Sequence, residues 1–277
     1  MFLDKINLLF LILLFTSGTL FSNDKKTINF APLPTKKAEK NIAEFLPINS
    51  YMQEMLGVRI NYIYKKDYQD ILNGFEEGKI DIAFLGPLPF ISLKKEYKFV
   101  EPIVTFKHQG GFAKYRCVLA KFKEDKFDRS KQIKVALTQP LSTCGYLMSN
   151  ILLKKEFNIE LKNQKYRYTM SHTNALLSVL KGESLLAGAK ESIAKEYESL
   201  GIKIIAKSKL LPGFSLVANT KTLSKEQIQK LQTTLLGISD DKYKSLGGIS
   251  IYGVEKSHTK DYESLDINFN IPKKGNF

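Results

Sequence analysis

The segment LTQPLSTCGY, Leu137 to Tyr146, holds the residues best suited to chemistry. A β-like run, IKVAL (Ile133 to Leu137), enters a Pro-containing loop with adjacent hydroxyls at Ser142 and Thr143. Gly145 and a helical stretch, YLMSNILLKKEF, follow. The first amides of a helix have no partners within it, and the helix dipole is positive there, so an oxyanion is stabilised at such a point. Ser142 and Thr143 can add hydroxyl donors, and Gly145 allows close backbone approach. The competing reading is that one hydroxyl simply caps the helix.

Nucleophilic chemistry is the other use of this loop. A Cys near a helix start has its thiolate favoured, so Cys144 with His172 as base would make a Cys/His enzyme. No third orienting residue stands out, and His108 and His258 lie in unrelated segments. Cys and His show no metal-ligand spacing, and Gly247-Gly248 alone is no nucleotide loop. The expectation is therefore no enzyme, no metal and no cofactor. Cys117 and Cys144 either pair or stay as thiols; sequence alone cannot place their Cα atoms at bridging distance.

The N-terminus reads as an export signal over residues 1–22: Lys5, the apolar run Leu8 to Phe15, then TSGTLFS. That run is far shorter than the ~20 residues of a membrane span. Cleavage near Ser22 gives a periplasmic protein, and an uncleaved N-terminal anchor is the alternative. The remaining chain of about 255 residues suits one large domain or two lobes. The net charge is +14, from 42 Lys and Arg against 28 Asp and Glu. Arg occurs only at Arg59, Arg116, Arg129 and Arg167, and Lys is dispersed. With export, this argues against nucleic acid and for a lysine-rich surface whose field attracts small anions.

The order of elements supplies the frame. TINFAPLP reads as a strand, KNIAEFLPINSYMQEMLG as a helix, VRINYIY as a strand, DYQDILNGFEEG as a helix, and IDIAFLGPLPF as a buried strand with a turn at Gly86-Pro87. A second series runs from IKVAL to IKIIAKS, and SKEQIQKLQTTLLGI closes with a helix capped by Ser224. Apolar strands alternating with amphipathic helices predict an α/β protein with mostly parallel sheets flanked by helices. Two longer strand candidates, 112–122 and 213–220, predict crossovers between two lobes. The expected boundaries are 27–114 for the first lobe, 115–212 for the second, and 213–277 returning to the first. Ligands of open α/β sheets sit at the carboxyl ends of strands, which puts Gly86-Pro87 and Ser142-Thr143 at one cleft. The tail beyond Asp240 suggests no particular structure.

These segments resemble the phosphate/phosphite/phosphonate-binding family, the exported solute-binding components of ABC importers. The resemblance runs from about Ile28 to Ile238, in GFEEGKIDIAFLGPLPF, TQPLSTCGY, MSHTNALLSVLKGE and LLPGFSLVANTKTLSKEQIQKL. It implies a type II-like, two-lobed periplasmic binding protein that closes on a phosphonate, phosphite, phosphate or related organic anion. It also implies a monomer that delivers this solute to a membrane permease. A ligand carrier for a chemoreceptor or sensor kinase is the alternative on the same fold. The resemblance implies that Ser142, Thr143, Cys144 and Gly145 hold the phosphonyl oxygens, with His172 as a donor or charge-assisted contact. Gly86, Pro87, Leu88 and Pro89 would form the facing wall, with Phe90, Thr35, Tyr64 and Lys190 as further candidates, Phe90 having packing in the core as its competing reading. Phe90 stands where many members have Tyr, Cys144 replaces a Ser, and Leu185 replaces an Asp. Losing two donors from a polar site costs on the order of 1–3 kcal/mol, enough to change preference among anions.

Overall fold

Strands that are apolar on both sides need cover on both sides, and the burial pattern shows where that applies. In the computed structural model, which describes residues 26–35, 38–263, 265 and 270–277, the first strands and helices are β1 (Thr27–Pro32), α1 (Ala38–Leu56), β2 (Arg59–Tyr62), α2 (Tyr68–Glu76), β3 (Ile82–Leu85), α3 (Pro87–Glu96) and β4 (Val100–Phe106). All four residues of β3 are buried. Phe30, Ile82 and Phe84 face Phe45, Ile48 and Met52 of α1. Ala31, Ala83 and Leu85 face Ile71, Leu72 and Phe75 of α2. Each large side chain so buried contributes about 1.5–3 kcal/mol of transfer free energy. The proposed export signal lies outside the described residues, among which no helix is long and apolar enough to cross a membrane.

The chain then passes through β5 (Lys114–Tyr115) and β6 (Cys117–Phe122) into β7 (Lys134–Leu137), α4 (Tyr146–Phe157), β8 (Lys165–Tyr168), α5 (His172–Leu180), β9 (Leu186–Lys190), α6 (Glu191–Glu196) and β10 (Ile202–Lys207). It returns through β11 (Leu211–Pro212) and β12 (Ser215–Asn219) to α7 (Lys225–Leu236), α8 (Asp240–Leu246) and β13 (Val254–Lys256). Two main sheets result, ordered β13-β4-β12-β3-β1-β2 and β10-β6-β9-β7-β8. The βα strands β1, β2 and β3 pair in parallel, as do β7, β8 and β9. The strands added by the crossovers, β12 and β6, pair antiparallel, so both sheets are mixed. The second sheet is covered by α4 on one face and by α5 with α6 on the other.

Three local expectations need correction. The two long crossover strands are each broken, at Arg116 and at Gly213-Phe214, and their short halves β5 and β11 form a separate antiparallel ribbon between the lobes. Gly213 sits where a Cβ would come within 2.7 Å of Ala113 O, so the ribbon tolerates no side chain there. Gly86-Pro87 is not a free turn: Gly86 is the N-cap of α3 and Pro87 opens the helix, a position where its missing N–H costs nothing. The tail beyond Asp240 contains α8 and β13, held by the Ser239 cap and by pairing with β4.

Cys117 and Cys144 form a disulfide, with Cα atoms 5.1 Å apart and 27 residues of sequence separation. It fastens the loop before α4 to the first strand after the ribbon. By chain entropy such a loop stabilises the fold by about 3–4 kcal/mol. The C117S/C144S double variant is therefore expected to lower the urea unfolding free energy by about that amount with a higher m-value, because the unbridged unfolded chain exposes more surface, and reductant to do the same to the natural protein. A loss below ~0.5 kcal/mol in both would show that the bridge adds nothing to stability.

Candidate functional site

Two helix N-termini meet across the lobes, and neither has a side-chain cap. Gly86 precedes α3 and Gly145 precedes α4, and as glycines neither N-cap residue offers a capping side chain to its own helix. The Leu88 N–H of α3 donates to Thr143 Oγ1 at 3.1 Å, a buried contact that joins the halves. The loop before α4 is tightly wound: Gly145 N–H donates to Ser142 O and Ser142 N–H to Gln139 O. A Cβ at Gly145 would lie 2.5 Å from Gln139 O and 2.9 Å from Thr138 Oγ1, so glycine is required. The amides of Thr143, Cys144 and Tyr146 make no hydrogen bond to protein among the described residues. Ser142, Thr143 and Cys144 are all buried.

Aromatic rings close this junction. The Tyr115 hydroxyl is buried beside Thr143 without a well-directed partner, and burial raises its pKa. Phe214 stands over Gly86, where a Cβ would come within 3.0 Å of the ring. The Lys190 ammonium lies over both rings, 5.2 Å from the Tyr115 centroid and 5.4 Å from that of Phe214. Lys190 Nζ is also 3.3 Å from His108 Nε2, and the Lys190 N–H donates to His172 Nδ1 at 3.2 Å. Burial, then the Lys190 charge, pushes the pKa of His172 down to about 3 and that of His108 to about 4. Both imidazoles are therefore neutral at pH 7. This corrects the charge-assisted role expected of His172: with Nδ1 accepting, its Nε2–H remains as a neutral donor.

The other expected residues divide. Gly86, Pro87 and Leu88 stand at the junction. Phe90 does not; it is 1% exposed and packs on Tyr262, with ring centroids 4.7 Å apart, inside the first lobe. Tyr64 is 40% exposed and makes none of these contacts. Thr35 lies in the loop between β1 and α1, and its neighbour Pro34 accepts from Gln139 Nε2. Cys144 has no thiol, because its sulfur is bonded to Cys117, which removes the nucleophile the Cys/His enzyme reading needed. Among the described residues no cluster of His, Cys, Asp or Glu can hold a metal ion.

Several residues at the junction carried no signal in sequence. Gln139 accepts from Tyr68 N–H of the first lobe and donates to Met170 O of the second, and so links the two. Tyr115 and Phe214 read as ordinary strand aromatics. Thr105, Ser215, Ser257 and Tyr262 share a buried hydroxyl network in the first lobe. Two crevices flank the junction, one of about 410 Å³ beside Tyr68, Gln139 and Leu141, the other of about 700 Å³ beside Tyr115, Arg116 and Lys190.

Comparison with known proteins places this geometry. Residues 30–262 match the family described as "ABC transporter, phosphonate, periplasmic substrate-binding protein". The chain is 25% identical over 238 residues to the phosphonates-binding periplasmic protein of Escherichia coli, covering 78% of this chain and 69% of that one. It is 22% identical over 227 residues to the phosphate-import protein PhnD of Mycolicibacterium smegmatis, covering 75% and 70%. The binding-protein component of an ABC phosphonate transporter from Pseudomonas aeruginosa shares the fold, with a TM-score of 0.74, 23% identity and coverage of 86% and 84%. PhnD1 of Prochlorococcus marinus, solved with methylphosphonate, also aligns at a TM-score of 0.74, with 14% identity and coverage of 86% and 95%. A match across most of the chain, on a two-lobed frame with a loop and helix start turned into the junction, settles its kinship: the chain belongs to the periplasmic substrate-binding proteins of phosphonate ABC transporters.

Proposed function

We propose that this protein captures a small phosphorus oxyanion, a phosphonate, phosphite or phosphate, between its lobes and presents it to the permease of an ABC importer. The observation that carries this reading is the meeting of α3 and α4 N-termini at the Leu88–Thr143 contact. Two positive dipole ends turned toward one point favour a negative guest there. Thr143 Oγ1, Ser142 Oγ, the amides of Thr143, Cys144 and Tyr146 and the Tyr115 hydroxyl supply the donors for its oxygens. His172 Nε2–H adds a neutral donor. Export through residues 1–22, a monomeric state and the lack of catalysis belong to the same reading, which the consumed Cys144 thiol supports.

Titration calorimetry with methylphosphonate, phosphite and phosphate is expected to give one site per chain at micromolar affinity or better. Small-angle scattering should record a more compact particle on binding. Thr143→Val removes a hydroxyl while keeping the shape, and is expected to weaken the best ligand at least tenfold, about 1.4 kcal/mol. Absence of heat with every anion, or a Thr143→Val protein that binds as the natural one does, would overturn the reading.

The neutral histidines set a pH dependence. The unfolded chain takes up protons on His near pH 6.5, whereas folded His172 and His108 resist until about pH 3 and 4. The unfolded state thus binds more protons between pH ~6.5 and ~4, and stability falls as pH falls through that window. Each histidine adds a slope of at most about 1.4 kcal/mol per pH unit. Urea unfolding at pH 7, 6, 5 and 4.5 should show this decline, and His108→Gln should flatten it. A flat profile in the natural protein would mean that these imidazoles are free to protonate.

A further inference from the structure

We propose that the Cys117–Cys144 bridge positions the anion-binding amides, so that affinity for the solute depends on whether the bridge is oxidised. This rests on the oxyanion reading above and adds a regulation of the same site. Cys144 lies in the middle of the proposed grip. Its own amide and those of Thr143 and Tyr146 make no hydrogen bond to protein among the described residues. Its carbonyl accepts a long bond from Ser149 Oγ, at 3.4 Å. The covalent bond to Cys117 is thus the strongest hold on a residue whose amide must face the guest.

The far end of the bridge is anchored where the lobes join. Cys117 opens β6 just after the ribbon, donates its N–H to Ser208 Oγ at 3.0 Å and accepts from Ser208 N–H at 2.9 Å. Arg116, at the break, donates to Ser208 O, and its own carbonyl accepts from Glu191 N–H. Both cysteines pack with Tyr115 and Leu211, which pair with each other across the ribbon. The bridge therefore carries the fixed position of the ribbon end into the anion loop. Reduction by a dithiol adds two electrons and two protons, breaks the Sγ–Sγ bond, and leaves two thiols and a cyclic disulfide. The peptide groups on either side of Cys144 then regain rotational freedom, and a guest must order them again. By linkage, a guest that prefers the bridged form makes the bridge harder to reduce by the same factor.

Calorimetry with methylphosphonate, phosphite and phosphate tests this on the oxidised protein, on protein held in dithiothreitol, and on Cys117→Ala, each checked for folding by circular dichroism. Reduction and Cys117→Ala are each expected to weaken the best of the three anions at least tenfold. Dithiothreitol should add nothing to the variant. Leu231→Ala, which opens a cavity in the first lobe away from the bridge, should lose stability and keep its affinity. With that anion saturating, half-reduction of the natural protein should need at least a tenfold higher ratio of reduced to oxidised dithiothreitol, and this shift should level off. If Cys117→Ala does not fold, the redox titration decides. Equal affinities with and without the bridge, or a Leu231→Ala protein weakened as much, overturn the inference and leave oxyanion capture standing. A redox shift that keeps growing with anion concentration does the same, because reduction then simply unfolds the chain. No heat with any of the three anions in the oxidised protein overturns both.

Discussion

Two helix N-termini with the same partial charge are brought to one place, and most of the architecture follows from that. Each carries about half a positive charge on its first amides. Bringing them together is unfavourable unless something negative or hydrogen-bond-accepting lies between. Thr143 Oγ1 meets the requirement once, by accepting from Leu88 N–H. The amides of Thr143, Cys144 and Tyr146 at the α4 start make no hydrogen bond to protein among the described residues. With an anion between the dipoles, as proposed, closure of the lobes would be coupled to charge, because the guest replaces repulsion with attraction from both sides. A ligand can shift an equilibrium only by its differential affinity for the two states, and here that difference is electrostatic.

Such a loop serves only if it holds its shape, and its stiffness has covalent and steric sources. The disulfide joins Cys144 to Cys117, the first residue of β6 after the ribbon. A Cβ at Gly188 would lie 2.8 Å from Cys144 O and 2.0 Å from Ser149 Oγ, so β9 presses directly on the loop. Gly145 permits the return of the chain onto Gln139 O. The amides thus point where the backbone forces them, and little ordering remains to be done on binding. The cysteine that weakens the loop as a donor strengthens it as a frame.

The frame was largely legible, because periodicity and caps are local. The helix Tyr146–Phe157 and the Ser224 cap, with its complete capping box, occur as the sequence indicates. Mixed sheet direction was not legible, since nothing in FSLVANT says whether its partners run with it or against it. The site was half legible. Ser142 and Thr143 announce themselves by type and position at a helix start. Tyr115, Phe214 and Gln139 do not, because their roles arise from contacts with residues 24 to 128 positions away in the chain. Phe90 and Tyr64 misled for the converse reason: their positions in a pattern say nothing of which way the ring turns. Charge on His172 was beyond sequence as well, because burial, not residue type, decides it.

The tail is fastened to both lobes. Tyr262 is buried in the first lobe against Phe90, and its hydroxyl joins the Ser215 network. Pro272 O, by contrast, accepts from Tyr168 of β8, and Asn276 exchanges bonds with Tyr166. β8 is the edge strand of the second sheet, so the tail occupies backbone groups that would otherwise invite pairing with another chain. The chain between Tyr262 and Pro272 is thus a third connection, beside the two arms of the β5–β11 ribbon. The bonds of Pro272 and Asn276 lie on β8, whereas Tyr262 lies in the first-lobe core, so the two ends of this last stretch are held by different sheets, and each hold is made of backbone or buried hydroxyl groups that would otherwise lack a protein partner.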